Sequence, residues 1–461
     1  QMKKVIFLFL IPFLGWSQSE QPFSFDDFIQ VGKTGHPIAR QAALQTELGE
    51  LAILKSKGQV DPEAFTEFNQ KQFDDSRYYN LFDAGLKIPT WFGASFQAGY
   101  EQNAGDFLNP ENSTPTDGLL YAGVSVPIGK GLLMDERRAT LRQGRLYNET
   151  TKAEQVKMLN DLLLDAGKAY WNWFRAYNNV LVFEDAYTLA EQRYQAVKLG
   201  ANIGERPAID TLEAGIQRQT RQVQVRQASL EMKNARALLE IFLWQEGNIP
   251  LELEEGVIPR FENPLLLEEF GTMVEMDSLL ANHPEFAQAE IKLQSLEVDR
   301  KYQSEMLKPE LNLKYNFLSS NAGAESQVLL NNYTFGLQFS MPLFLRKERG
   351  DLKMTKVKIE QSERGLDQKR AQLNYKVDVA LNEWQTISEQ IVIQQRTVSD
   401  YNGLLNGERS LFENGESSLF MVNSREMSYI QSQLKLNELI SRRFQAEIKV
   451  NHALGILNTV L

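Results

Sequence analysis

Residues 159–174 read LNDLLLDAGKAYWNWF, with apolar side chains at Leu159, Leu162, Leu163, Ala166, Ala169, Tyr170 and Trp173. Three- and four-residue spacings of this kind put one apolar stripe along an α-helix. The helix extends far in both directions. No proline stands between Pro127 and Pro207, and residues 137–199 are rich in Ala, Leu, Glu, Gln, Lys and Arg, all good helix formers. A second tract, 347–412, has the same composition, and no proline follows Pro342. At 1.5 Å per residue a helix of roughly 65–70 residues is about 100 Å long. That exceeds an ordinary globular domain, so the two tracts read as coiled-coil rods or as walls of a tunnel.

The surroundings of the two tracts match. Gly35-His36-Pro37 opens a helical stretch that ends at Asp61-Pro62, and Asn282-His283-Pro284 opens one that ends at Lys308-Pro309. Each is followed by alternating sequence, then by a strand ending in proline, Val124-Ser125-Val126-Pro127 and Phe339-Ser340-Met341-Pro342. Charged helix starts come next, Asp135-Glu136-Arg137-Arg138 and Arg346-Lys347-Glu348-Arg349. The long tracts end at glycine tips, Asn202-Ile203-Gly204-Glu205 and Glu413-Asn414-Gly415-Glu416, from which a helix returns. Five elements in one order, twice, read as an internal twofold repeat.

Alternation is clear between the helices. Phe92, Ala94, Phe96, Ala98 and Tyr100 alternate with small or polar residues, as do Leu120, Ala122, Val124 and Val126. So do Leu311, Leu313, Tyr315 and Phe317, and Tyr333, Phe335, Leu337, Phe339 and Met341. One apolar and one small-polar face suits either a barrel between lipid and water or a soluble sheet with one wet face. The start of the chain favours the barrel. Lys3 and Lys4 precede an apolar run from Val5 to Trp16 that ends at Ser17 and Gln18. This is the pattern of a secretory signal peptide, and the run is short for a bilayer span, which takes about 20 residues. In lipid, backbone outside helices must close into a barrel.

Composition narrows the function. The 461 residues include no cysteine, which removes disulfides, thiolate metal sites, a cysteine nucleophile and an acylated N-terminal lipid anchor. A net charge of −11 is the wrong sign for a nucleic-acid partner. The three histidines are His36, His283 and His452, and the first two occupy the repeated His-Pro positions, where a helix-opening role accounts for them. No metalloprotease, phosphate-loop or nucleophile-elbow motif is present, and the carboxylates are spaced as solvated helix faces. The expectation is no enzyme, no cofactor and no metal.

Taken together, the paired His-Pro openings, the prolines 62, 127, 309 and 342 around the strands and the glycine tips at 204 and 415 resemble the TolC-like outer-membrane efflux family. The resemblance covers nearly the whole chain beyond the signal segment. It implies an α+β membrane protein. Three copies would form one antiparallel transmembrane β-barrel in outer-membrane lipid, continuous with a long periplasmic α-helical coiled-coil tunnel. The homotrimer would serve as the passive exit duct of a tripartite efflux or type I secretion system in a Gram-negative cell. Its partners would be a periplasmic adaptor (membrane fusion protein) and an inner-membrane transporter. The other readings are a periplasmic adaptor or scaffold with helical hairpins, which does not account for strands between repeated long helices, and a barrel lipase, which needs a Ser–His pair on the barrel wall.

On this reading the chain divides into a signal peptide at 1–18, N-terminal periplasmic helices at 19–61 and a first barrel segment with an extracellular loop at 62–128. A long helix, its tip near 204 and its returning helix fill 129–250. An equatorial segment and the helix opening the second repeat fill 251–308, and a second barrel segment fills 309–342. The second long helix, its tip near 415 and its returning helix fill 343–461.

The family gives two strands per half, and here the first half is longer. Strands are expected near 64–71, 79–88, 92–102 and 119–126, with an inner turn at Pro89-Thr90 and an outer loop at 103–118; the second half keeps 311–317 and 333–341. Four and two strands per chain would give eighteen in a trimer. Alternatively 74–92 is an extracellular excursion on a twelve-strand barrel.

The resemblance also places a gate at the tips. Glycine-to-glycine alignment puts the first-tip aspartate of the family at Asp210 and the basic residue of the second tip at Ser417, so the usual salt link is missing. Arg206 or Arg425 is the candidate replacement partner of Asp210. The two acidic aperture positions fall on Met421 and Ser424, which removes the acidic ring. Phe420 and Met421 are candidates for an apolar plug that closes by dewetting; the plainer reading is helix packing. Gly204, Glu205, Arg206, Gly415 and Glu416 are the expected adaptor-docking residues. Tyr170, Trp171, Trp173, Phe174 and Tyr177 read as packing, and the basic residues near 137–145 and 346–358 as a membrane–water boundary.

Overall fold

In a computed structural model the chain is described over residues 21–245, 249–261, 278–320 and 331–461. The expected signal segment at 1–18, part of the equatorial segment and residues 321–330 between the last two strands lie outside the described residues. The chain divides into two compact units: residues 1–40, 159–272 and 376–461 form one, and 41–158 with 273–375 form the other.

The second of these holds a six-stranded antiparallel sheet. Its strands are β2 (Glu63–Phe73), β3 (Ser76–Pro89), β4 (Ser95–Ala104), β5 (Leu119–Pro127), β9 (Glu310–Ser319) and β10 (Tyr333–Ser340), in the spatial order β10-β9-β5-β4-β3-β2. Residues 76–89 pair with β2 on one side and β4 on the other. The expected strand at 92–102 instead begins at Ser95. Thr90 to Ala94 form the turn, closed by the Thr90 amide on the Ala94 carbonyl at 3.0 Å, and Gly93 takes a φ of +102° that favours glycine. The alternation of Phe92 and Ala94 continues that of the strand and disguises the turn.

Helices flank the sheet in sequence. α1 (Phe25–Gly35) and α2 (Pro37–Lys57) come first, and α3 (Glu136–Asn202) and α4 (Ala208–Glu240) follow β5. α5 (Pro284–Glu305) precedes β9, and α6 (Arg346–Glu413), α7 (Leu419–Ala453) and α8 (Leu457–Val460) follow β10. The 67-residue α3 and 68-residue α6 are the two long helices expected from proline placement. Small residues bring the start of α3 close to α2. A Cβ on Gly49 would lie 2.3 Å from the Thr151 hydroxyl, and one on Gly144 would lie 2.6 Å from that of Ser56. Among the described residues no helix is long and apolar enough to cross a membrane.

The other unit carries the aromatic core. Phe25, Phe28, Tyr170, Trp171, Trp173 and Phe444 are buried together, with Trp171 stacked on Phe444 at 4.0 Å between centroids. Burying a side chain of this size stabilises the fold by about 1.5–3 kcal/mol. The Tyr170 hydroxyl lies 2.8 Å from the Phe23 carbonyl and 3.0 Å from that of Arg260, so its polar end is satisfied. A short parallel bridge, β1 (Gln21–Phe23) with β8 (Val257–Pro259), sits beside it. Between them in sequence, β6 (Trp244–Gln245) pairs with β7 (Ile249–Pro250).

The repeated histidines act as helix caps. His283 Nδ1 accepts the Glu285 amide at 3.1 Å and His36 Nδ1 accepts the Ile38 amide at 3.1 Å. His36 also stacks on Phe242, and its burial holds its pKa below the ordinary imidazole value.

Candidate functional site

Both long helices end by the same device. Gly204 and Gly415 have φ of +81° and +80°, and a Cβ on either would meet nothing within 4 Å. The glycine requirement is therefore one of backbone conformation alone. At the first tip the Glu205 amide donates to the Gly200 carbonyl at 2.9 Å and the Gly204 amide to Ala201 at 3.2 Å. At the second the Glu416 amide donates to Leu411 at 2.9 Å and the Gly415 amide to Phe412 at 3.1 Å. This double bond pattern is a Schellman cap, which satisfies carbonyls that a helix end otherwise leaves open.

The returning helices start differently. Pro207 precedes α4 with no side-chain cap, and the half-buried Asp210 lies in its first turn, where a negative charge is favourable. Ser418 caps α7 by accepting the Met421 amide at 3.3 Å. Neither candidate partner of Asp210 reaches it within this chain. The Arg206 guanidinium lies over the Phe412 ring at 4.2 Å, and Arg425 pairs with Glu408 at 3.5 Å. Ser417 also donates to Glu408, so that carboxylate takes the place expected for Asp210 at the second tip. Phe420 is 68% exposed in the single chain, Met421 is half-buried and Ser424 is exposed. Phe420 is thus not packed among the helices of its own chain.

The structure adds a cluster that the sequence did not indicate. Glu426 of α7, 2% exposed, is surrounded by arginines from three other helices. Arg193 of α3 pairs with one carboxylate oxygen and donates to Asn423 at 2.8 Å; Arg221 of α4, 1% exposed, lies 3.4 Å from the other oxygen; Arg409 of α6 stands at 3.9 Å. Asn423 in turn donates to Glu213 of α4 at 3.1 Å. Burial lowers the Arg409 pKa and Glu426 opposes that shift, while a guanidinium keeps its proton throughout. One buried carboxylate thus ties four helices together close to the tips. A signal was present: Glu426 continues the buried face of Leu419, Val422 and Ile430, a core position for a charge.

Below this cluster, toward the tips, a groove of about 520 Å³ opens among Leu189, Ile203, Arg206, Phe412 and Val422. Its lining mixes these apolar side chains with charges of both signs, Arg193, Arg206 and Arg409 against Glu205 and Glu413.

Comparison with known proteins fits this architecture. Residues 276–456 match the model of the outer membrane efflux protein family. A search of curated proteins finds no match. Among solved structures the chain is similar to CusC, described as undergoing conformational changes on folding and transmembrane channel formation, at 17% identity and a TM-score of 0.65, covering 93% of this chain and 91% of that one. It is similar to the Campylobacter jejuni CmeC outer membrane channel at 14% identity and a TM-score of 0.66, covering 94% and 85%. It is likewise similar to the open-state Neisseria gonorrhoeae MtrE outer membrane channel at 14% identity and a TM-score of 0.67, covering 93% and 88%. The resemblance read from the sequence is thus supported: residues 276–456 match the outer membrane efflux protein model, and the chain has the fold of the TolC-like channels over nearly its whole length.

Proposed function

We propose that three copies of the chain form a passive exit duct, with the sheets closing into a barrel in the outer membrane and the helices lining a tunnel in the periplasm. The observation that carries this reading is the sheet. One face is predominantly apolar, interrupted in β2 by Thr66 and Gln70; among the described residues both edge strands lack a partner, and β5 and β10 each lead into a helix of about 100 Å. An open edge in lipid leaves backbone groups without water, and only closure removes it. The helices need partners as well. Ile209, Leu212, Ile216, Val223 and Leu230 of α4 follow heptad spacing and are all more than half exposed. A stripe of that kind is a coiled-coil seam that the single chain does not cover.

In this reading the two halves are a structural repeat, and the domain limits are those read from the sequence. The tips at Gly204 to Arg206 and at Gly415 and Glu416 dock onto a periplasmic adaptor, which joins the duct to an inner-membrane transporter for efflux or type I secretion. Asp210, Ser417, Ser424 and Arg425 lie around the aperture. Phe420 and Met421 supply an apolar constriction in place of an acidic ring. Arrangement as a duct requires no catalytic group.

The test is fractionation and native mass. The protein should leave the outer membrane only with detergent and weigh three chains. A monomer recovered from the periplasm without detergent would refute the reading. For the constriction, Phe420→Ala combined with Met421→Ala should raise single-channel conductance, and an unchanged pore would remove these two residues from the gate.

A further inference from the structure

We infer that the hairpin of β2 and β3 is part of the barrel wall and that β2 is the docking edge for β10 of the next copy, giving eighteen strands around the pore. This rests on the trimeric reading above and adds to it the interface and the circumference.

Four observations carry the inference. First, the hairpin shares the two-faced pattern of the sheet at its Glu63–Ala64 end, although Thr66 and Gln70 of β2 fall on the apolar face and Phe65 and Leu81 on the other. Ala64, Leu86, Ala98, Ala122, Phe317 and Tyr333 lie in one cross-strand row, one residue from each strand, all apolar. The adjacent row on the other face, Glu63, Lys87, Gln97, Gly123, Asn316 and Thr334, carries no apolar side chain larger than glycine. A hairpin standing outside the membrane would have no reason to hold Phe68, Phe82, Leu86 and Ile88 on the lipid side of that pattern.

Second, the hairpin spans the height of the sheet. Asp74 and Asp75, with φ of 54° and 55°, form a two-residue turn at one end, a geometry that suits a tight hairpin. At the other end the Thr90–Ala94 turn meets the start of α3. Arg137 donates to the Ser95 hydroxyl at 3.4 Å, and Gly93 lies against Arg138. Tyr121 of β5 crosses above Gly99 of β4 to donate to Asp83 of β3 at 2.9 Å, which ties the hairpin to the strands on its far side.

Third, the two free edges suit each other. Six is an even number, so in an antiparallel sheet β2 and β10 run in opposite directions, and β10 of one copy meets β2 of the next antiparallel. The polar face of β10 holds Thr334, Gly336, Gln338 and Ser340, with no carboxylate to oppose Glu63 and Glu67 of β2.

Fourth, a seating with the stagger of a closing sheet is available to these two edges. Strands spaced ~4.8 Å apart, rising ~3.3 Å per residue and tilted ~35–45°, shift by about six to nine residues over six strands. Seating β10 on the next β2 midpoint to midpoint places Leu337 opposite Phe68 and Tyr333 opposite Gln72. The row that began at Ala64 then re-enters at Gln72, eight residues further along β2. A twelve-strand wall offers β10 no such edge. β4 is held on both sides, by β3 through ten residue pairs and by β5.

Barrel diameter grows roughly in proportion to strand number, so this wall is about one and a half times as wide as a twelve-strand one. The partner the edge takes is a second copy of this chain.

Disulfide trapping tests the inference, and the chain has no cysteine of its own. In full-length protein in native membranes, Leu337→Cys is combined in turn with Thr66→Cys, Phe68→Cys and Gln70→Cys, and in a second series with Phe96→Cys or Ala98→Cys. The expected result is a reducible three-chain species from at least one β2 combination, strongest at Phe68→Cys, and none from the β4 series. A native trimer that cross-links only through β4, or fails to cross-link through β2, overturns the eighteen-strand wall and leaves the trimeric duct standing. A native monomer overturns both.

Discussion

Residues 37–240 and 284–453 pass through the same kinds of element, yet they differ in one respect. The helices match closely: α2 and α5 have 21 and 22 residues, α3 and α6 have 67 and 68, and α4 and α7 have 33 and 35. The strands do not: among the described residues the first half has four in the sheet and the second has two. Helix length and strand number therefore vary independently. In the proposed duct, helix length is set by the distance to the tips, which both halves share. Strand number sets circumference, and a hairpin inserted anywhere in the sheet enlarges it without altering a helix.

The largest expected effect falls where the two halves are joined. Glu426, from the second half, is the only carboxylate within reach of Arg193 and Arg221 from the first among the described ion pairs. Glu426→Ala leaves buried guanidiniums without an anion and should cost about 3–5 kcal/mol, read as a marked fall in the melting temperature of the extracted protein. An unchanged melting point would mean that the halves are held together by apolar packing alone.

The two His-Pro openings provide a smaller contrast. A Cβ on Gly35 would sit 1.8 Å from the Trp244 carbonyl oxygen, inside contact distance. Gly35→Asn, which copies the residue preceding His283, should cost about 1–3 kcal/mol by overpacking. If the variant melts like the wild type, the close approach to Trp244 is not a constraint. At the tips the comparison should sharpen instead. Gly204→Ala and Gly415→Ala each force a left-handed residue at a cost of about 1–2 kcal/mol. Equal shifts would establish that the two caps are equivalent, and a clear inequality would show that one tip bears a load the other does not.

The smallest effect concerns pH. Burial depresses the folded-state pKa of His36, so the unfolded chain takes up the proton first as pH falls. Its contribution is complete above the unfolded value of about 6.5 and is lost as pH falls toward the folded value. Melting temperatures recorded from pH 7.5 to 5 should decline, and less steeply in His36→Asn. Parallel curves would assign the decline to other groups.

Much of this architecture is legible in the sequence, for identifiable reasons. Long helices are written in proline placement, and the tips in glycines that must adopt positive φ. Strands β3, β9 and β10 fall within two or three residues of expectation because apolar and polar residues alternate along them. The turn at Thr90–Ala94 was placed early since Trp91 and Phe92 give it an apolar composition. Of the cluster around Glu426, local pattern shows only a charge at a core position of α7; its partners come from three other helices and meet it only when those helices pack. Asp210 illustrates the same limit from the other side: its expected partners come from the family resemblance, whereas Arg206 turns to Phe412 and Arg425 to Glu408.

The central claim is that this sheet exists to be closed around a pore. Its most direct test is single-channel recording of the purified, detergent-extracted protein in planar lipid bilayers. Discrete conductance steps of uniform size, from a preparation whose native mass is that of three chains, are the expected result. Protein of that purity that leaves the bilayer electrically silent at every voltage and after Phe420→Ala with Met421→Ala would contradict the account.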